Sequence, residues 1–175
     1  MVFKRKSKEY IKENITFGFI KLGDLRSIEK LRKGYKKQGG KVVDIIHGEE
    51  DVKTSQELQK IAGFTKMNLA KNAGKSLLLV ARDKGKVIGW EEIYFEKTRP
   101  IIMANYIHPT YRRSGIASSF HGISKIITAE AGYKEIEHGI PENQAAKKAL
   151  RKAGFIGSVS QLDEMRTKRF RRGAK

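Results

Sequence analysis

One stretch of the sequence constrains the fold most. It consists of three apolar runs joined by short turns, followed directly by a basic turn that contains glycine and by an apolar stripe at helical spacing. The runs SLLLVARD, VIGWEEIYFE and RPIIMANYIHP fill most of residues 76–109, and DKGK between the first two has the composition of a hairpin turn. Ile116, Phe120, Ile123 and Ile127 then recur at helical spacing. This stretch predicts a three-stranded antiparallel meander whose last strand leads directly into a helix.

The segments before the meander predict a β–α start and a second helix. Ile15, Phe17 and Phe19 alternate as in a strand, and Asp24 stands where an N-cap would precede an apolar helical stripe. Thr54 and Glu57 have capping-box spacing ahead of the second helix. The HGEED segment at 47–51 is interpreted as an acidic loop.

The segments after the meander predict a strand, a helix and a closing strand or two. YKEIEHGI has the pattern of a strand, NQAAKKALRKAG that of a helix ended by Gly154, and FIGSVSQLDEM that of the closing strands. The complete order is β, α, α, three strands, α, β, α, β. Such an order predicts an α/β fold with helices packed on a mixed sheet.

Composition limits the chemistry and suggests a partner. The chain has 37 Lys and Arg against 19 Asp and Glu, a formal net charge of +18, which favours a polyanion such as nucleic acid, although solvated surface lysines explain such an excess equally well. With no cysteine, disulfides, thiolate metal sites and a cysteine nucleophile are excluded. The four histidines show no metal-ligand spacing, so no metal site is expected.

The sequence carries no sign of a membrane span, a secretory signal, an internal repeat or a linker. We therefore expect a soluble, cytoplasmic protein with one domain at residues 15–165. A basic N-terminal extension (1–14) and a basic tail (166–175) flank it.

The junction RRSGIA, residues 112–117, has the character of an anion site. The first amides of a helix have no intrahelical partner and lie at the positive end of the helix dipole. Gly115 would let the backbone approach a ligand, and Arg112 or Arg113 would add charge. An anion is the expected occupant, and these residues alone do not say which one.

Three motifs together resemble the GNAT family of N-acetyltransferases. Arg112, Gly115 and Ala117 match the family's loop signature, and IHPTYR before them is similar to the family's V-x-P-x-Y-R lead-in. NQAAKKALRKAGF resembles the second family motif at Asn143, Ala146, Lys152, Gly154 and Phe155. The resemblance covers roughly residues 15–157. It implies a mixed, mostly antiparallel central sheet, flanked by helices and splayed at the cofactor-binding strand.

The resemblance implies acetyl-CoA as the cofactor. The amides of Arg113, Ser114, Gly115, Ile116 and Ala117 would then bind its pyrophosphate, with charge from Arg112 or Arg113. Backbone groups around Tyr106 and Ile107 would pair with the pantetheine arm and polarise the thioester carbonyl, and Asn143 would contact the pantetheine.

The catalytic residues depart from the family pattern. Ala104 and Leu150 occupy the positions where members often place a Glu and a Tyr for proton transfer. Glu91, Glu92 and His108 are the candidate replacements, with Tyr106 and His138 also near the expected cleft. Because side chains alternate along a strand, Glu91 and Glu92 face opposite sides, and at most one of them faces the substrate.

Two functions of different classes remain open from the sequence. One is an acetyl-CoA-dependent N-acetyltransferase that acts on a primary amine, for which a nucleic-acid-associated protein suits the charge. The other is a catalytically inactive protein of this fold that binds nucleic acid or acts structurally in a nucleoprotein assembly. The missing Glu and Tyr and the basic termini favour the second.

Overall fold

In the part of the chain that the structure describes, a six-stranded sheet is the frame on which the other elements are arranged. The computed structural model describes residues 8–36, 49–60, 74–139, 144–156 and 159–161. The strands are β1 (Ile15–Phe19), β2 (Ser76–Asp83), β3 (Lys86–Phe95), β4 (Pro100–Ile107), β5 (Glu135–His138) and β6 (Val159–Gln161). The helices are α1 (Lys8–Asn14), α2 (Leu25–Lys36), α3 (Glu49–Lys60), α4 (Ile116–Glu130) and α5 (Gln144–Lys152). Short 3-10 turns span Leu22–Asp24 and Pro109–Tyr111.

The strands follow one another in the sheet in chain order, from β1 at one edge to β6 at the other. Each neighbouring pair is antiparallel except β4 and β5, which are parallel. A parallel pair needs a crossover connection, and α4 supplies it. The predicted α/β fold with a mixed, mostly antiparallel sheet flanked by helices is confirmed.

A bulge interrupts β4 where the strand begins to leave its neighbour. Glu92 pairs with Ala104 and Ile93 pairs with Ile102, so Met103 is the extra residue on β4. The Met103 side chain is 51% exposed, whereas Ile102 is buried. Because a bulge bends its strand and increases the local twist, it prepares the second half of β4 to diverge.

The divergence of β4 from β5 opens a notch in the sheet. The two strands pair only at Ile101 with Glu137 and Ile102 with His138, and Gly139 N then donates to Ile102 O at 2.9 Å. Farther along β4, residues 104–107 stay paired with β3 on one side, and no strand in the described part of the chain pairs with them on the other. The predicted splay is therefore confirmed.

Each face of the sheet carries its own hydrophobic cluster. The face that packs against α4 and α5, called the α4 face here, includes Leu77, Leu79, Ile93, Ile102, Phe120 and Leu150. The opposite face, called the α2 face, includes Ile20, Ile28, Val52, Leu78, Val80 and Trp90. Consecutive residues of β2 alternate between the two clusters, because successive side chains of a strand point to opposite faces.

The N-terminal half differs from the sequence prediction in three places. Helix α1 was not predicted, and it packs Ile11 into the cluster of the α4 face. The acidic loop was wrong: Glu49, Glu50 and Asp51 form the first turn of α3, where carboxylates interact favourably with the helix dipole. The predicted helix start at Thr54 and Glu57 is also wrong, because both residues lie inside α3. Asp24 directly precedes α2 as predicted, and its carboxylate accepts from the Lys21 amide at 2.7 Å and pairs with Arg82.

Some predictions fall outside the described residues. These include Asn143, His47 and the basic tail 166–175, and the proposed domain limits stay predictions. Among the residues that are described, no helix is both long and apolar enough to cross a bilayer.

Candidate functional site

The N-terminus of α4 lies beside the notch and presents backbone amides. Gly115 is the N-cap, with φ 95° in the left-handed region, and its carbonyl accepts from Ser119 N at 2.9 Å. A Cβ on Gly115 would meet no atom within 4 Å, so glycine is needed there for its backbone conformation rather than for space. The cap contributes no side-chain hydrogen bond to the first turn of the helix.

The residues just before Gly115 form a tight turn. Arg113 also has a positive φ, 62°, which is uncommon for a residue with a side chain. Ser114 Oγ donates to Tyr111 O, and Arg112 N donates to Pro109 O at 3.2 Å. We call residues 112–115 together with the first two residues of α4 the cofactor turn, because the predicted pyrophosphate ligands are all here.

The two arginines of the cofactor turn have different surroundings. Arg112 Nε donates to Ile107 O at 2.9 Å, and its guanidinium lies 5.9 Å from the centroid of the Tyr106 ring. Arg112 is therefore tied back to the end of β4. Arg113 is exposed on the turn itself.

Hydrogen-bond alternation decides which backbone groups of β4 face the notch. His108 N donates to Ile88 O at 2.8 Å, beside the paired residues Gly89 and Ile107. In an antiparallel ladder this pattern turns the N–H and C=O of Ile107, and likewise of Asn105, away from β3 and toward the notch. The backbone of Tyr106 points toward Trp90 on β3 instead.

Glu91 is fully buried on the α4 face. Its side chain is 0% exposed, Ser124 Oγ donates to its Oε1 at 2.6 Å, and His121 Nδ1 lies 2.7 Å from its Oε2. The His138 ring packs edge-on against that of His121 at 5.2 Å, and its Nδ1 donates to Gly139 O at 2.5 Å. Burial lowers the pKa of His138; His121 lowers it further, while Gly139 O and Glu91 oppose the shift. The structure thus surrounds Glu91 with partners beneath α4.

Glu92 lies on the opposite face of β3, one strand away from the notch. It pairs across the sheet with Ala104, so the two side chains share the α2 face. Ser76 Oγ donates to its Oε1, and the residue is 7% exposed. Trp90 and Tyr106 stack on the same face, with ring centroids 4.6 Å apart.

His108 has a structural partner. Its Nδ1 accepts from Thr110 N at 3.3 Å, as the N-cap of the 3-10 turn that leads to Tyr111. Burial lowers its pKa, and the Arg112 charge lowers it further. Both effects favour the neutral imidazole that can accept this hydrogen bond.

The remaining positions complete the site. Leu150 is 2% exposed within the cluster of the α4 face, and Ala104 lines the notch opposite Glu92. The described residues contain no group of three or more His, Cys, Asp or Glu side chains placed to hold a metal ion.

Sequence reasoning missed two residues of the site, Ser124 and Asn105. Ser124 follows His121 at helical spacing i, i+3, which could have indicated a shared buried partner. Asn105 was passed over because the register of β4, and so the direction of its backbone groups, depends on the bulge at Met103.

Comparisons with known proteins agree with this geometry. Residues 41–155 match the acetyltransferase (GNAT) family. No curated protein sequence matches the chain.

Three solved structures illustrate the similarity of fold. The Salmonella typhimurium protein yncA, solved with its cofactor acetyl-CoA, is 16% identical, with a TM-score of 0.62 over 86% of this chain and 95% of that chain. The PaiA N-acetyltransferase of Thermoplasma acidophilum, solved with coenzyme A, is 16% identical, with a TM-score of 0.56 over 84% and 98%. An aminoglycoside 6'-N-acetyltransferase of Acinetobacter baumannii is 17% identical, with a TM-score of 0.53 over 82% and 92%. Since the family match spans more than half of the sequence, the chain belongs to the acetyltransferase (GNAT) family.

Proposed function

We propose that the protein transfers the acetyl group of acetyl-CoA to a primary amine. The observation that carries the proposal is the notch between β4 and β5, which runs along backbone groups of β4 toward the amides of the cofactor turn. An extended ligand with an anionic end fits such a path, because strand edges and helix N-termini both offer amide donors.

The residues present suit acetyl-CoA, which supplies an acyl group activated as a thioester. The amides of Arg113, Ser114, Gly115, Ile116 and Ala117 would bind its pyrophosphate, and the exposed Arg113 would add charge. Backbone groups of Asn105 and Ile107 would pair with the pantetheine arm. Tyr106 would contribute its ring rather than its amide, and Arg112 would hold the end of β4. Asn143 keeps its proposed contact with the pantetheine.

Glu92 is the proposed general base. It lies directly across the strand pair from Ala104, where many family members place a Glu, so its carboxylate can serve the same region from the neighbouring strand. Glu91 lies on the other face of the sheet with Ser124 and His121, and the His108 ring accepts from the Thr110 amide, so we propose structural roles for both.

The reaction forms one bond and breaks one. The amine nitrogen forms a C–N bond with the acetyl carbonyl carbon, the C–S bond breaks, and the ammonium proton passes to the Glu92 carboxylate. Amides of β4 facing the notch would stabilise the charge that develops on the carbonyl oxygen. Leu150 has no hydroxyl, so we propose that the departing thiolate takes its proton from a water molecule that regains one from Glu92, so that the proton lost by the amine ends on sulfur.

The acceptor we propose is an amine of a protein bound to nucleic acid. The chain carries a net charge of +18. Exposed cations include Arg26, Lys30 and Lys33 on α2 and Lys147, Lys148, Arg151 and Lys152 on α5. Like-charge repulsion disfavours polycationic acceptors such as aminoglycosides. Activity on a protein that is bound to nucleic acid should fall steeply between 50 and 200 mM salt, roughly as nucleic-acid binding does. Activity that does not depend on salt would contradict the proposed acceptor.

Calorimetric titration with acetyl-CoA tests the proposed function. Wild-type protein, freed of nucleic acid, should bind one equivalent, and Gly115→Glu should abolish binding because it adds a negative charge and an unfavourable φ at the pyrophosphate position. Gly74→Glu is the matched control, since Gly74 also has a positive φ, 92°, and its Cβ would make only an ordinary contact, with Tyr94 Oη at 3.9 Å. Absence of binding by the wild type, with tight salt-sensitive binding of RNA or DNA, would instead favour the inactive nucleic-acid-binding protein.

A further inference from the structure

Asp83 joins three parts of the fold that are distant in sequence. Tyr111 Oη donates to its Oδ2 at 2.5 Å, and Tyr10 Oη lies 3.0 and 2.9 Å from its Oδ1 and Oδ2. The residue is only 8% exposed, so the carboxylate depends on these hydroxyls for much of its solvation. The buried Asp83 carboxylate thus links α1 to the 3-10 turn that precedes the cofactor turn.

The position of Asp83 is fixed by the sheet. It is the last residue of β2 and pairs with Ile15 on one side and Lys86 on the other. The two residues that follow, Lys84 and Gly85, have φ of 49° and 79°, as in the type I′ turns that join twisted strands tightly. The carboxylate is therefore presented from a strand end that is paired on both sides and closed by a tight turn.

Tyr111 connects Asp83 to the cofactor turn through hydrogen bonds. Its amide donates to His108 O at 2.9 Å, and its carbonyl accepts from Ser114 Oγ, so its ring, backbone and the turn move together. Arg113 holds a positive φ of 62°, a conformation that persists only where the surrounding contacts determine it. An anchored Tyr111 is such a contact.

We infer that Asp83 is a positioning residue for the cofactor turn, and that Tyr10 extends this support to the N-terminal helix. The inference rests on the proposed function, because it assigns α1 and the β2–β3 hairpin a role in binding acetyl-CoA. Burial, and then the hydrogen bond to Asp83, raise the pKa of Tyr111, so its hydroxyl stays protonated and able to donate. Tyr10's own hydrogen bond to Asp83 raises the pKa of Tyr10.

The test combines dynamics without ligand and affinity with ligand. In wild-type protein, backbone order parameters of residues 112–115 from ¹⁵N relaxation should be near the rigid value of about 0.85, and Tyr111→Phe should lower them toward about 0.6. The same variant should weaken coenzyme A binding about tenfold, which corresponds to the loss of about 1.4 kcal/mol. Tyr10→Phe should have a smaller effect in the same direction, and Asp83→Ala should match or exceed Tyr111→Phe.

Two controls separate positioning from general destabilisation. Tyr94→Phe removes a hydroxyl from the opposite end of β3 and should change neither measurement. Ser55→Ala removes a buried hydrogen bond to Leu78 N, 3.0 Å long, and should lower the melting temperature without changing the order parameters of the turn. Asp83→Asn, which keeps an oxygen acceptor, should restore part of the affinity lost in Asp83→Ala.

The outcomes distinguish this inference from the proposed function. A wild-type protein that fails to bind coenzyme A overturns the proposed function and, with it, the cofactor role of Asp83. Wild-type binding with unchanged affinity and unchanged order parameters in Tyr111→Phe and Asp83→Ala overturns the positioning role alone. An effect of Ser55→Ala equal to that of Tyr111→Phe also overturns it, because destabilisation would then explain both.

Discussion

The two faces of the sheet treat neighbouring carboxylates differently. Beneath α4, Glu91 is 0% exposed and bound by Ser124 and His121, within a cluster that His138 and Phe155 complete. On the α2 face, Glu92 is 7% exposed, accepts from Ser76 Oγ and lies across the strand pair from Ala104, whose side chain is small. Strand alternation alone assigns the faces, and the partners on each face then decide what a carboxylate can do. We therefore propose a stabilising role for Glu91 and a catalytic role for Glu92.

The largest effect should come from removing Glu91. Glu91→Ala leaves Ser124 and His121 buried without their shared partner, and breaking a buried pair costs roughly 3–5 kcal/mol. Urea denaturation at pH 7 measures the loss of unfolding free energy. A loss below about 1 kcal/mol, the scale of an exposed pair, would contradict the stabilising role.

Glu92 should show the opposite behaviour. With an amine that the wild type acetylates, Glu92→Gln should lower kcat about 100-fold, the scale of one general base. The isosteric Glu91→Gln is the matched control. It should mainly lower the free energy of unfolding, and its loss of kcat should be much smaller than that of Glu92→Gln. Equal loss of kcat in both variants would remove the distinction between the two faces.

Restoring the family's phenol should fail on the α4 face. Leu150 is 2% exposed in a packed cluster, so Leu150→Tyr should overpack it and cost about 1–3 kcal/mol of unfolding free energy. We expect no gain in kcat. A gain in kcat with unchanged stability would mean that the ring reaches the notch, and would make Leu150 part of the reaction site.

Acid should lower the free energy of unfolding through His138 on the α4 face. Because burial lowers the pKa of His138, the folded protein binds fewer protons than the unfolded chain, so stability is complete above the ordinary histidine pKa of about 6.5 and is lost as the pH falls below it. His108 contributes in the same direction. His138→Gln should reduce the change in the urea midpoint between pH 7.5 and 5. An identical pH dependence in wild type and variant would assign the effect to other groups.

Local patterns in the sequence were sufficient for most of the fold. Alternation and turn residues located the meander, and the apolar spacing from Ile116 to Ile127 located α4. Helix α1 escaped notice because KEYIKEN has few apolar residues, and its packing depends on contacts with distant strands. The start of α3 was missed because three consecutive acidic residues indicate a loop as readily as a helix N-terminus.

The site was less accessible from sequence. The alternation of side chains along a strand predicts that Glu91 and Glu92 face opposite sides of the sheet, and the pairing of β3 with β4 confirms it. The choice between them needed the partners that α4 brings to Glu91, and no local pattern encodes that contact. The direction of the β4 amides depends on the register after Met103, and the link from Tyr10 to Tyr111 through Asp83 joins residues far apart in the chain.

Amide hydrogen exchange with and without saturating acetyl-CoA tests the central claim most directly. The account predicts that the ligand protects the amides of the cofactor turn and those of Asn105 and Ile107, because these face the notch. The amides at the far end of α4, around Ala131 and Gly132, should exchange unchanged. Protection confined to another surface, or none at the turn, would contradict the placement of the cofactor in the notch between β4 and β5.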